Sequence, residues 1–417
     1  MVSPQDAYDH LQNTQAWRFA GLVQQRLTHP MDEQVIAVPT SPTPGPQDWN
    51  GGVFTYIAPT GEHVRVGRTR NGVDRGGQTW VDLSQDGGKT WERKTSIPKE
   101  DETAGGKAIA SVERPYVYGT MVGEELWIVL GTCAAETGTK CWDIHEREAP
   151  LAHLERLKDA PVRVAFAGDA VYAYKDGVPL QSPDGRGIYL GVTRHHIAGP
   201  LETAVHADTV LCQRHDAGTY EVTSLLLPRG AREDMDRTCN RLSCEMVFPD
   251  GTRFWGCDIR NVEEPYAALK TPLQPGDISQ WTLGDFDEIS ACAIGRWEKG
   301  APAPVVTSVA AILGRSAHSR YPTLRYLGLA PLISSTELAE LAASPDVSSG
   351  KEHEVALVLT YERASATGSK STYQQTIPYQ ELAQALSGRG PVLLVGQDPL
   401  AQKQGHTPAL EKETPSR

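Results

Sequence analysis

The sequence predicts an all-β protein with a short helix at its start, and three observations lead there. From about Asp48 to Gly396 the chain is dominated by short β-rich runs such as LWIVLG, PVRVAFAG, AVYAYKDG, GIYLGVT, YEVTSLLL and VALVLTYE, broken by Gly, Pro, Asp and Asn. Regularly punctuated short strands without long helical stretches between them indicate a sandwich, barrel or propeller. The octapeptide SQDGGKTW, Ser84 to Trp91, has the composition of a tight hairpin turn: short polar side chains to bond the turn backbone, glycine for the unusual dihedrals and an aromatic to pack beneath. Helical spacing within this span is confined to SSTELAELAAS near Ser335 and PYQELAQALSG near Tyr379, the latter stopped by Gly388.

Ahead of the β region, Ala7 to Leu27 sets Tyr8, Leu11, Trp17, Leu22 and Val23 at helical spacing, which predicts an amphipathic helix packed on the main body. Prolines at 30, 39, 42, 44 and 46 then favour an extended connector. The predicted organisation is residues 1–47 as helix and connector, 48–396 as the β domain and 397–417 as a disordered tail.

A chain of 417 residues with 39% hydrophobic content can bury a large core. Its net charge of -12 and lack of a long Lys/Arg run argue against nucleic acid or an anionic membrane as partner and favour a small, neutral or locally bound ligand. The start lacks a basic segment followed by an apolar one, so a cytoplasmic location is expected. Seven cysteines without a CxxC pair predict reduced, mostly buried thiols and no metal or other cofactor, although Cys239, Cys244, Cys257 and His215 offer ligand types. The charge-rich stretches ARED near Arg232 and EREAPLAHLERLK near Glu146 are expected at the solvated surface.

In SQDGGKTW, Ser84, Asp86, Gly88, Thr90 and Trp91 match every position of the Asp box, and SPDGRGIY and FPDGTRFW are weaker echoes. With GRTRNGVDRGGQTWVDLSQDGGKTW, CEMVFPDGTRFWGCDIR, YPTLRYLGLAPLIS and the closing EVALVLTYERASATGSKSTYQQTIPYQEL, the chain from about 48 to 386 resembles sialidases, Asp-box (BNR) β-propeller glycoside hydrolases that cleave terminal sialic acid. The resemblance implies a six-bladed propeller with a ligand site at the channel mouth. It casts Asp74 as general acid, Glu245 as base, and Arg68, Arg260 and Arg325 as arginines holding a polar substrate group. Arg320 and Arg315 compete for the place of Arg325.

Two departures stand out: DWNGGVF has no arginine where the family's first triad arginine stands, and no tyrosine occupies the nucleophile's place before Tyr361. Tyr321 or Tyr361 would have to serve from a shifted position, or an activated water replaces the covalent intermediate and configuration inverts. Arg114, beside Glu113, and the Tyr220-Glu221 pair are further candidates for substrate contacts, because charged residues on inner strands line propeller channels. The function expected is hydrolysis of a small glycoside or acidic sugar derivative. The alternatives are a propeller that binds a ligand or protein without chemistry, or a non-hydrolytic enzyme of specialised metabolism. Convergence of Asp74, Glu245, Arg260 and Arg325 at one mouth is the geometric test of the enzymatic reading.

Overall fold

The computed structural model describes residues 10–40, 48–70, 76–139, 141–185, 187–198, 207–216, 218–227, 238–261, 288–314, 324–343, 354–364 and 369–393. A helix α1 (Gln15–Thr28) and a short strand β1 (Gln34–Ala37) precede the blades. Blade I holds β2 (Trp49–Ile57), β3 (His63–Arg70), β4 (Gln78–Ser84) and β5 (Glu92–Pro98). Blade II holds β6 (Ile109–Val122), β7 (Glu125–Glu136), β8 (Trp142–Pro150) and β9 (Arg163–Phe166). Blade III holds β10 (Tyr172–Leu180), β11 (Tyr189–His196), β12 (Ala207–Arg214) and β13 (Tyr220–Leu227). Blade IV holds β14 (Thr238–Val247), β15 (Thr252–Asn261), β16 (Glu288–Arg296) and β17 (Val305–Gly314). Blade V is built from β18 (Leu324–Pro331), β19 (Val355–Ala364) and β20 (Lys370–Pro378), completed by β1 as its outer strand.

The inner strands β2, β6, β10, β14 and β18 pack on one another in that order, and β18 returns to β2, so the molecule is a closed β-propeller. The described residues form five blades, not the six expected. The turns that suggested a repeat occupy unlike places: SQDGGKTW joins the third and fourth strands of blade I, whereas SPDGRGIY and FPDGTRFW join the first and second strands of blades III and IV. They therefore do not count blades. The Pro-rich segment also does more than connect, because β1 within it ties the start of the chain to β20 and closes the ring.

At Ser84 to Trp91 the Ser84 hydroxyl accepts from the Gly88 amide at 2.8 Å, and Asp86 accepts from the Thr90 amide and hydroxyl at 2.8 and 2.7 Å. These bonds hold the Asp86 carboxyl well below the usual carboxylate range. Gly87 and Gly88 take φ of 71° and 84°, which a side chain would oppose.

Helix α1 takes Thr14 as N-cap and wedges between blades IV and V; residues 10–12 ahead of it are also helical, and the part of the expected helix before His10 lies outside the described residues. Its Phe19 meets Phe254 edge-on with ring centroids 5.1 Å apart. Helices α2 (Ser335–Ala343) and α3 (Tyr379–Leu386) form where their spacing predicts. A reciprocal cap starts α2, with Glu337 accepting from the Ser334 amide and Ser334 from the Glu337 amide. Gly388 ends α3 at φ 78°. No helix among the described residues is long and apolar enough to cross a membrane.

Candidate functional site

Each inner strand carries one extra residue against its neighbour, at the same height in every blade. The pairing jumps from Gly51↔Arg68 to Phe54↔Val66 in blade I, and from Glu113↔Cys133 to Tyr116↔Gly131 in blade II. It jumps from Lys175↔Thr193 to Val178↔Gly191, from Leu242↔Cys257 to Cys244↔Gly256, and from Arg325↔Glu362 to Gly328↔Thr360 in blades III to V. These bulges leave Gly52, Arg114, Asp176 and Tyr326 out of the ladder in blades I, II, III and V, and Ser243 in blade IV. A bulge re-aims a side chain and frees a backbone amide. Three of the five, Gly52, Asp176 and Tyr326, lie at positive φ of 65°, 53° and 51°.

Second-strand residues of the preceding blade take up the freed amides. Glu362 of blade V accepts from the Gly52 amide at 2.5 Å, and Cys133 of blade II accepts from the Asp176 amide at 2.9 Å. Asp258 of blade IV receives the Tyr326 amide at 3.2 and 3.1 Å on its two oxygens. Burial among these groups pushes the Cys133 thiol up to about 12, so it serves as a neutral hydrogen-bonding group.

Arg114 crosses the channel. Fully buried, it donates from blade II to the carbonyls of Leu242, at 3.0 Å, and Ser243 in blade IV, and its guanidinium lies 5.0 Å from the Tyr326 ring centroid in blade V. It ties blades II, IV and V together at one end of the channel. Around that end, Glu113 lies 3.3 Å from the Lys175 ammonium, which sits 3.9 Å above the Trp142 ring. Arg241 donates to the Tyr326 hydroxyl at 3.2 Å. Arg68, buried, Arg70 and Lys370 gather round Trp49 at 5.3, 4.3 and 4.3 Å.

Asp176 differs from the other acids of this ring. Its side chain is buried, at 1% exposure, and neither carboxylate oxygen has a hydrogen-bond partner among the described residues. An unpaired buried carboxylate on a strained backbone is costly to keep, and such costs concentrate at functional sites.

The expected site residues divide in two. Arg68 and Arg114 stand toward this end, and by register so do the backbones of Arg325, one residue before Tyr326, and Arg260, two beyond Asp258. Asp74 and Tyr321 lie outside the described residues, as do Arg315 and Arg320. Glu245 does not join them. It pairs with Trp255, three residues past the bulge toward the Asp250-Gly251 turn, whereas Arg260 pairs with Cys239 at the other end of the hairpin. At about 3.3 Å per residue, the five residues from Trp255 to Arg260 separate the two by roughly 16 Å. Glu245 instead accepts from Arg253 at 2.7 Å, Trp255 at 3.0 Å and the Gln181 amide at 2.7 Å, and burial raises its carboxyl pKa.

Tyr220 is buried between blades II and III, where it donates to Glu146 at 3.0 Å. Tyr116 and Tyr118 bond the same Glu146 oxygen, and Arg163 its other one at 2.8 Å, so Glu146 is interior rather than solvated. Arg147 is interior too, 3% exposed. Glu221 is on the surface, 3.2 Å from His215 across a hairpin, which also keeps His215 apart from the buried Cys244 and Cys257. Tyr361 points away from Glu362 and bonds Glu33 and Gln375, outside the channel. Six described cysteines are free thiols. One described group has metal-ligand spacing, Glu136, Cys141 and Asp143, with ligand atoms within 4.8 Å, but the Lys107 ammonium binds Glu136 and the Gly168 amide binds Asp143.

Spacing from the Asp250-Gly251 turn is the sequence signal that separates Glu245 from Arg260. No comparable signal marks Asp176, because YKDGVP reads as a turn.

No family model matches this chain, and no curated protein matches it. Solved structures do resemble it in fold. An N-acetylgalactosamine deacetylase from F. plautii, in complex with blood group B trisaccharide, is 9% identical, with 85% of this chain and 96% of that one covered and a TM-score of 0.50. A thermostable family-43 glycoside hydrolase is 10% identical over 81% of this chain and 92% of its own, with a TM-score of 0.48. An α-L-arabinofuranosidase from Fusarium graminearum, in complex with an iminosugar inhibitor, is 10% identical over 84% and 99%, also at 0.48. The likeness is one of fold.

Proposed function

We propose that this chain hydrolyses a glycosidic bond of a small carbohydrate at the Arg114 end of its channel. The observation that carries the reading is Asp176, a buried carboxylate at a strained bulge with neither oxygen engaged among the described residues. Asp258 and Glu362 are committed to backbone amides and Glu113 faces a lysine, so Asp176 is the acid of the ring left for chemistry. The fold is shared with a protein whose crystals hold a trisaccharide, which supports a carbohydrate as ligand.

Glycoside hydrolysis needs two carboxyl groups, one protonating the leaving oxygen and one acting at the anomeric carbon directly or through water. Asp176 takes the second role. Asp74, set in the segment between Arg70 and Gly76, takes the first. Arg68, Arg260 and Arg325 hold polar or acidic substituents of the sugar. Removal of water by a closing substrate strengthens every one of these electrostatic contacts.

The test is a screen of aryl glycosides, including uronide and ulosonic acid glycosides, with wild type, Asp176→Asn and Asp74→Asn. Glu221→Gln, on the surface, is the control. Turnover by wild type and control, lost in both site variants, supports the assignment. Turnover retained by Asp176→Asn removes Asp176 from the mechanism, and sugar binding without turnover in wild type favours a binding propeller.

A further inference from the structure

Among the described residues, three freed bulge amides find a side-chain acceptor on the preceding blade, and the acceptors are not alike. Glu362 serves the Gly52 amide and Asp258 the Tyr326 amide, so where the bulge residue is uncharged the acceptor is a carboxylate. Asp176 is itself an acid, and there the acceptor is a thiol, Cys133. Fully buried, this thiol accepts from the Asp176 amide at 2.9 Å and donates to the Arg114 carbonyl at 3.7 Å, so it joins the bulges of blades II and III. An ionised carboxylate could not do both, because it has no proton to donate.

The charges at this height give a second reason for the thiol. Of the strands packed on β10, β6 brings Glu113 and Arg114, β7 Cys133, β8 Ile144, β11 Thr193 and β14 Arg241, and Lys175 precedes Asp176 on β10 itself. Arg114 is engaged with the carbonyls of blade IV, Arg241 with the Tyr326 hydroxyl and Lys175 with Glu113. A carboxylate at position 133 would add an acid beside Asp176 and Glu113, and like charges sharing a site drive one of them to keep its proton. After burial, the charge of Asp176 is already the largest influence raising the Cys133 thiol. Such coupling is mutual, so a negative charge at 133 would raise Asp176 in turn.

We propose that Cys133 is a positioning residue for Asp176: it fixes the bulge of blade III through a group that accepts and donates at once, and its neutrality keeps the neighbouring carboxylate ionised. The inference rests on Asp176 as the reacting carboxylate, which has to be ionised to act at the anomeric carbon directly or through water.

The experiment follows Asp176 itself, by carbon NMR of the full chain labelled at its aspartate carboxyls, with the Asp176 signal identified by its loss in Asp176→Asn. Turnover of the aryl glycosides is measured beside it. Cys133→Ser keeps a neutral donor and acceptor, and Asp176 should titrate there as in wild type. Cys133→Asp should raise the Asp176 midpoint by about one pH unit or more, and with it the acid limb of kcat/KM. Cys133→Ala loses both bonds without adding charge, so the Asp176 amide should exchange about tenfold faster and turnover fall about tenfold, both restored in Cys133→Ser. A merely structural role predicts lower urea midpoints with the Asp176 titration unmoved. The proposal is overturned if Asp176 titrates in Cys133→Asp as in wild type, or if Cys133→Ser is as impaired as Cys133→Ala. If Cys133→Asp does not fold, amide exchange in Cys133→Ser against Cys133→Ala decides. Turnover retained by Asp176→Asn refutes the reading of the site, whereas the titration and exchange still decide the role of Cys133.

Discussion

Replacing Asp176 with Asn should make the protein more stable and less active at once. The carboxylate is 1% exposed and unpartnered among the described residues, and burying an ion in this way costs several kcal/mol even after relaxation. The isosteric amide left without partners costs about 1–3 kcal/mol by mutational scales, so the exchange should recover on the order of 2 kcal/mol. The backbone does not oppose it, because Asn tolerates the φ of 53° as well as Asp does. Urea unfolding should show a higher midpoint at unchanged slope. Hydrolysis should fall about 10²- to 10⁴-fold, the usual contribution of a positioned acid or base. An Asp176→Asn protein that unfolds at lower urea than wild type and keeps its turnover would refute the reasoning on both counts.

Other perturbations separate scaffold from site. Arg114→Met should destabilise by about 2–4 kcal/mol in urea unfolding, because the buried Leu242 and Ser243 carbonyls are left without a donor. Glu245→Gln should cost about 3–5 kcal/mol by leaving Arg253 buried and unpaired, while turnover per folded molecule stays at the wild-type level in active-site titration. Asp86→Asn should be less stable at neutral pH. The folded-state pKa of Asp86 is depressed, so its contribution is present above the unfolded value near 4 and is lost as pH falls through the folded one. The gap between wild type and Asp86→Asn in thermal melts should therefore narrow steadily as pH falls from about 5 to 2.

Much of this was legible in the sequence, and the limits have physical causes. The strands and both later helices follow from their periods, and Arg68, Arg114, Arg260 and Arg325 do share one end of the propeller by register. Glu245 misled because Glu245 and Arg260 flank one turn at unequal distances. Five residues separate Glu245 from Asp250 and nine separate Gly251 from Arg260, so in an antiparallel hairpin they cannot stand at the same height. Asp176 was hidden by chemistry that imitates a turn: Asp-Gly within YKDGVP supplies the positive φ of a bulge just as it would that of a hairpin. Glu146 and Arg147 were concealed in a charge-rich run, since their partners, Tyr116, Tyr118, Tyr220, Glu102 and Arg163, come from elsewhere in the chain. Sequence alone cannot show that buried charges are paired.

The bulge ring explains how a nearly symmetric scaffold yields one asymmetric site. Five backbones make the same deviation at the same height, so five side chains compete for one narrow channel. Gly52 gives way in blade I: a Cβ there would stand 3.2 Å from the Arg114 Cγ. The room it leaves lets the arginine of blade II reach across to blade IV. Tyr326 covers that guanidinium with its ring. Leu242 offers its backbone carbonyl to the arginine, so blade IV contributes a main-chain acceptor at this level. What remains is Asp176, held by a bond from its amide to Cys133 rather than by any bond to its carboxylate. Its carboxylate is left without a hydrogen-bond partner among the described residues, while Arg114, the Tyr326 ring and the blade IV carbonyls engage one another.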